Sequence, residues 1–401
     1  MEDDRIIIAG GGPIGYTLAA SLDRYGIPFV LLEAGSRIFD DPRAGTIHPP
    51  SLELFRDLGL TNALLQRGSI VNSYQYRDRK QGVVAEFDLT VLADETDFPY
   101  RLMLEQHKVC EIIHEHLNPK HSQRIRREHR VVGVSQDAAG VAAEVETPAG
   151  NMTFRGRYIV GCDGGRSQVR KSMNVDFDGF QYPERFLVLS TPYDFAAAGY
   201  ALTNYLADPD EWCALFRVPG NAKTGMWRVV FPTEPQQTEE ELFDEAAVQR
   251  RIQRFHKKDG GYDIVHRNLY AVHQRVASCY RDGRLLIAGD AAHINNPLGG
   301  MGMNFGFHDV FNLSEKLNRI WNEGAEDALL DQYDRQRRTV ASEYLQRQTI
   351  ENKKNIEQRD PEVRKQFYDE LRGIVRDPVR QKAYLMRAAM IEGFRYAQSI
   401  E

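Results

Sequence analysis

The sequence predicts an α/β protein in which a unit with a mostly parallel sheet is interrupted by an α+β unit with an antiparallel sheet and followed by C-terminal helices. Three observations predict it. The apolar run Arg5 to Ala9 leads into Gly10-Gly11-Gly12-Pro13-Ile14-Gly15 and then into helical spacing as far as Tyr25, as when a buried parallel strand feeds a tight turn and a helix. From Arg185 to Phe231 the pattern changes to short aromatic and β-branched runs, among them Phe186-Leu187-Val188-Leu189 and Met226-Trp227-Arg228-Val229-Val230-Phe231, which suit antiparallel strands. At Arg284 to Ala288 an apolar strand of the first kind returns.

Taken in order, the opening reads as strand, helix and a second strand, Phe29-Val30-Leu31-Leu32, closed by Glu33. Gly10, Gly12 and Gly15 permit the turn, a close backbone approach to a pyrophosphate, and close helix-to-strand packing, while the helix that starts near Pro13 presents unpaired N–H groups to the phosphates. Glu33 stands roughly 20 residues on, where an acid accepts bonds from a ribose 2′-OH, so a Rossmann-like site without a 2′-phosphate is expected. Helices follow around Leu52 to Leu58 and Asn62 to Gln66, and an amphipathic helix over Leu102 to Leu117. Strands are expected at Arg130 to Val134, Val141 to Glu146 and Tyr158 to Gly161, a polar linker at Pro232 to Thr238 and a surface helix at Glu239 to Lys257. Beyond about residue 325 the chain is helical and highly charged, with Pro361 and Pro378 punctuating the helices. The expected division is a discontinuous nucleotide-binding domain over 1–70, 100–180 and 275–325, a substrate domain over 71–99 and 181–274, and a helical region over 326–401.

With 401 residues, of which 42% are hydrophobic, the chain can bury a substantial core. A net charge of -6 argues against a nucleic-acid partner. The four cysteines are scattered and form no metal set. No apolar stretch reaches the roughly 18 residues that a membrane helix needs, and the first residues lack the basic start of a signal peptide. A cytoplasmic monomer or homodimer with no membrane contact is expected.

Two further segments carry chemistry. Gly161-Cys162-Asp163-Gly164-Gly165-Arg166-Ser167 joins a strand end to a turn, and Gly289-Asp290-Ala291-Ala292-His293 precedes Pro297-Leu298-Gly299-Gly300-Met301-Gly302. Together with the first segment these resemble the para-hydroxybenzoate hydroxylase family, the single-component FAD-dependent aromatic hydroxylases, from residue 5 to about residue 320. The resemblance implies that the ADP half of FAD lies on Gly10, Gly12, Pro13, Ile14, Gly15, Glu33 and Ala34. It gives Arg43 a place beside the flavin and the nicotinamide, and Gln106 one on the FAD backbone. Asp163 and Gly164 match a motif that serves both cofactors, and Asp163 is expected to approach Arg43. Gly289 and Asp290 would meet the ribityl chain. Pro297, Gly300, Gly302, Met301, Met303 and Asn304 would surround the isoalloxazine ring, with a helix N-terminus at the N1/C2=O edge.

If the likeness holds, NADH or NADPH reduces FAD, dioxygen adds at flavin C4a, and the distal oxygen of the hydroperoxide passes to a small electron-rich phenol or hydroxypyridine. Pro297, His293 and Arg43 are the catalytic candidates, although a histidine in the place of His293 more often packs in the domain interface. Tyr193, Tyr205, Arg217, Trp227, Arg228 and His273 are the candidate substrate wall, and an arginine facing the pocket would imply an acidic substrate. The alternatives on the same scaffold are an epoxidase or Baeyer-Villiger-type monooxygenase, and a non-catalytic FAD-binding protein. A flavin halogenase is disfavoured because Trp212, Trp227 and Trp321 do not form its Trp-x-Trp-x-Ile-Pro segment.

Overall fold

A computed structural model describes residues 4–40, 45–220 and 225–401. The strand Ile6–Ala9 is fully buried and pairs in parallel with Phe29–Glu33 on one side and Tyr158–Gly161 on the other. Leu285–Ile287 and Ile125–Arg127 extend this sheet in parallel, and Arg281–Asp282 closes one edge antiparallel. Strands buried on both faces read as continuous apolar runs, which is why this sheet was legible. Pro13–Arg24, Gln106–His121 and Gly302–Asn322 are the helices that pack on it, through residues such as Leu18, Ile113 and Phe307.

The second sheet has eight strands. It takes Ser73–Asp78, Gly82–Asp88, four strands between Phe177 and Pro232, His266–Ala277 and the short His293–Ile294. It is antiparallel except where Thr203–Ala207 lies parallel to Ser73–Asp78. One face carries Leu187, Leu189, Leu215, Trp227 and Val229 against the Glu245–Phe255 helix. The other carries Phe186, Val188, Ala214 and Val230 against Leu298 and the C-terminal helices Pro361–Arg376 and Pro378–Ala388. Arg130–Gln136, Val141–Thr147 and Gly150–Gly156 form a separate antiparallel sheet.

Several elements differ from the sequence expectation. The amphipathic run from Leu102 divides, because Arg101–Met103 is drawn into a small sheet with Thr46–Ile47 and Ser69–Val71 and the helix starts only at Gln106. The expected Glu239–Lys257 helix breaks at Asp244, whose carboxylate accepts the Ala247 N–H and caps a new start. Pro361 and Pro378 do punctuate the tail, each opening a helix behind Asp360 or Asp377, since a first-turn proline gives up no hydrogen bond. No described helix is long and apolar enough to cross a membrane.

Candidate active site

The three glycine-bearing segments converge at the C-terminal ends of Ile6–Ala9, Tyr158–Gly161 and Leu285–Ile287, which neighbour one another in the parallel sheet. Gly10 has φ +101°, a region closed to most side chains. A Cβ at Gly15 would lie 1.9 Å from the Gly10 carbonyl oxygen, so the helix sits directly on the turn. Gly12 faces open space and leaves the helix without a side-chain cap, as a site that offers its first amides to phosphate requires. Glu33 accepts the Gly11 N–H and the Gly35 N–H, each at 2.6 Å. It therefore holds the loop and keeps lone pairs for a ribose. Beside it, Glu33, Ala34, Phe39 and Arg130 help line a cavity of about 610 Å³.

Asp163 turns out to be an organiser of its own segment. Its Oδ2 accepts the Gln168 N–H at 2.7 Å and, more weakly, the Val169 N–H at 3.3 Å, at the start of Gln168–Ser172. Burial raises its pKa above the ordinary carboxylate range despite those bonds. Arg43 lies outside the described residues. Arg170 donates to the Ala291 and Gly165 carbonyls, each at 2.8 Å, and so ties the second segment to the third.

In the third segment Gly289 leads to an exposed Asp290 immediately after a buried strand. The Pro297 carbonyl accepts the Gly300 N–H at 3.0 Å, and Pro297 itself is exposed at the head of this turn. Met301 is buried, Met303 half-buried, and the Gly302–Asn322 helix begins here. Gln106 opens its helix half-buried. Asn304, expected on the flavin, uses its side chain as a strut. Its amide donates to the Thr46 and Gly300 carbonyls, and its oxygen accepts from the His48 N–H and the Ser51 hydroxyl. Those four bonds exhaust an asparagine side chain.

His293 is 1% exposed, and its Nε2 lies 2.7 Å from Asp309 Oδ2. The same carboxylate accepts from Arg337 Nε at 2.7 Å and from the Gly289 N–H at 3.0 Å. His293 is thus tied through Asp309 to Arg337 and to the Gly289 amide at the head of the third segment. His48 lies next to the Pro297–Gly302 loop, with Nε2 3.0 Å from the Gly299 carbonyl oxygen and Nδ1 buried without a partner. Burial and the nearby Arg101 lower its pKa to about 3. Since a carbonyl only accepts, Nε2 carries the proton and Nδ1 is a bare acceptor.

Of the candidate wall residues, Tyr205 and Arg228 lie on the sheet face that meets Leu298. Tyr205 packs into that cluster, and Arg228 pairs with Phe216 in register. Trp227, Arg217 and Tyr193 are on the opposite face: Trp227 is in the outer cluster, Arg217 pairs with it in register, and Tyr193 packs on Phe195 and Tyr262. His273 sits between Val272 and Gln274, whose side chains face the C-terminal helices, so alternation turns it outward. His48, Ser51, Arg101, Asp309 and Arg337 were not read as site residues in the sequence. Only the His48-Pro49-Pro50 helix start left any local mark.

A family profile described as the FAD binding domain matches residues 3–348. The chain belongs to this family of flavin-dependent aromatic hydroxylases. FAD is its cofactor and monooxygenation its chemistry. The chain is 35% identical over 368 residues to para-nitrophenol 4-monooxygenase of Pseudomonas sp. (strain WBC-3), covering 90% of this chain and 89% of that protein. It is 29% identical over 396 residues to 6-hydroxy-3-succinoylpyridine 3-monooxygenase HspB of Pseudomonas putida (strain DSM 28022 / S16), covering 97% of this chain and 98% of that one. The crystal structure of p-nitrophenol 4-monooxygenase PnpA from Pseudomonas putida DLL-E4 superposes with a TM-score of 0.92 at 32% identity, covering 98% of this chain and 99% of that chain. The FAD-binding member residues fit the cofactor here: the uncapped helix behind Gly12, Glu33 beside its cavity, and exposed Asp290 after a buried strand.

Proposed function

We propose that this enzyme hydroxylates a small, electron-rich ring of the phenol or hydroxypyridine type, using NADH or NADPH and dioxygen. The observation that carries this reading is the full-length likeness to two compact monooxygenases, named for a nitrophenol and for a hydroxypyridine. When bound and reduced, FAD supplies the activated oxygen. The chain's own part is to bind, orient and exclude water.

The Gly10–Gly15 turn and Glu33 hold the adenosine end, and Asp290 holds the chain that leads to the ring. The Pro297–Gly302 loop carries the ring, with its position fixed from below. Gln274 and Thr349 hold Asn296, Asn352 holds the Leu298 carbonyl, and His48 and Asn304 hold Gly299 and Gly300. The N-terminus of Gly302–Asn322 adds a positive dipole end that favours negative charge on the reduced ring. Tyr205 and Arg228 wall the substrate on the facing sheet. His293 acts as a positioning residue through Asp309 and the Gly289 amide. The six-stranded and eight-stranded sheets correspond in this reading to cofactor and substrate domains.

The test is a screen of FAD-loaded enzyme with phenols and hydroxypyridines under NADH and under NADPH. At least one ring compound is expected to accelerate NAD(P)H oxidation and to gain one oxygen atom from labelled dioxygen. Stimulation by none of them, or a ring-inserted or epoxide product, would overturn hydroxylation.

A further inference from the structure

Six lysines and arginines are buried among the described residues: Arg101, Arg170, Arg228, Lys316, Arg337 and Lys353. Five have partners. Arg170 bonds two carbonyls, Arg337 pairs with Asp309, Lys353 with Glu184 and Glu357, and Lys316 bonds Asn312 and Gln336. Arg228 also has an interaction. Arg101 is the exception. It is 3% exposed, its Nε is buried without a partner, and no described residue forms a hydrogen bond or ion pair with its guanidinium.

A buried cation without an anion is costly, because the interior does not replace the hydration it gives up. Among the described residues it meets the face of Tyr74, whose ring centroid lies 4.3 Å from the guanidinium carbon. Tyr74 in turn meets Tyr205 edge-on at 6.0 Å and stacks on Phe87, which stacks on Tyr384. Ile47 pairs with Leu102 in register, which brings Arg101 alongside His48, the residue that holds Gly299 of the flavin loop. His48 Nδ1 is a second buried polar atom without a partner, contributed by a different segment. The unpaired charge therefore touches an aromatic wall and neighbours the histidine that holds the loop read as carrying the flavin ring.

We propose that Arg101 is the anion anchor of the substrate pocket, pairing with a ring oxyanion or a ring carboxylate of the aromatic substrate beside the Pro297–Gly302 loop. This rests on the hydroxylase reading and deepens it to anionic aromatics. The guanidinium fork matches either planar oxyanion in a bidentate manner. Pairing with a phenolate would also hold the ring in its electron-rich form, the form that attacks electrophilic oxygen. A carboxylate would fix orientation alone.

The test uses FAD-loaded protein and three probes: 4-nitrophenol at a pH where it is ionised, benzoate, and the uncharged 4-nitroanisole. Binding is read from the perturbation of flavin absorbance. The wild type is expected to bind one of the anions roughly tenfold or more better than 4-nitroanisole, and which anion is preferred identifies the group that Arg101 holds. Arg101→Gln should abolish that preference while leaving 4-nitroanisole binding within about twofold, and Arg101→Lys should restore part of it. Retention of the full anion preference by Arg101→Gln would overturn the proposal, as would an enzyme stimulated only by neutral rings. If Arg101→Gln does not retain FAD, Arg101→Lys decides, since loss of the fork should still weaken anion binding several-fold and unchanged binding refutes the anchor. The hydroxylase reading fails separately, when no aromatic compound accelerates NAD(P)H oxidation by the wild type.

Discussion

Asp309 shows how one buried carboxylate can organise a site without touching the reacting atoms. It is fully buried and receives His293, Arg337 and the Gly289 N–H. Burial pushes its pKa up, but His293 and Arg337 beside it push it further down, so the net direction is below the ordinary carboxylate value. A carboxyl depressed in the folded state contributes its stabilisation fully above the unfolded value of about 4, and that contribution is lost as pH falls through the folded value. Asp309→Asn leaves Arg337 buried and unpaired, and is expected to cost about 3–5 kcal/mol. Thermal or urea unfolding at neutral pH checks the size. The same unfolding followed into acid should show a flatter decline for Asp309→Asn than for the wild type.

Among the elements, the Pro13–Arg24 helix is positioned by what its glycines omit. Gly15 rests on the Gly10 carbonyl, while Ile14 fills the space beside Gly289 and Gly306 of the Gly302–Asn322 helix. First and third segments therefore share one packing contact, and a change in one is felt in the other. Gly15→Ala is expected to force the helix off the turn, at about 1–3 kcal/mol of overpacking, and to lower FAD content. Purified Gly15→Ala with wild-type melting temperature and full flavin occupancy would contradict this account.

For the molecule as a whole, the family match ends at residue 348, yet the helices beyond it cover one face of the eight-stranded sheet. Leu371, Ile374 and Leu385 bury the same face as Phe186, Val188 and Val230, and the Tyr368 hydroxyl donates to Asp78 at 2.8 Å. Tyr384 stacks on Phe87 next to Tyr74. Removal of residues 361–401 should expose a contiguous apolar sheet face, which in water leads to association. Light scattering of the purified truncated chain is expected to show aggregation, and a soluble monodisperse product would show that the sheet stands without its cover.

What the sequence determined by itself was whatever covalent neighbours dictate. A continuous apolar run marks a strand buried on both faces, and a glycine at a fixed offset marks a turn and a helix start. The parallel sheet, the three glycine-bearing segments that meet at its strand ends and the family follow from those signals. Tertiary structure alone decided which sheet face met which partner: alternation sends Trp227 and Arg228 to opposite sides of their strand, and only the packing of Glu245–Phe255 on one face and of the C-terminal helices on the other says what each side meets. It also decided who pairs with whom. His293 was legible as a histidine in a motif, but only the fold brings it to Asp309, and only the fold leaves Arg101 buried with no anion beside it. Charge compensation acts through space between segments distant in sequence, and no local pattern encodes it.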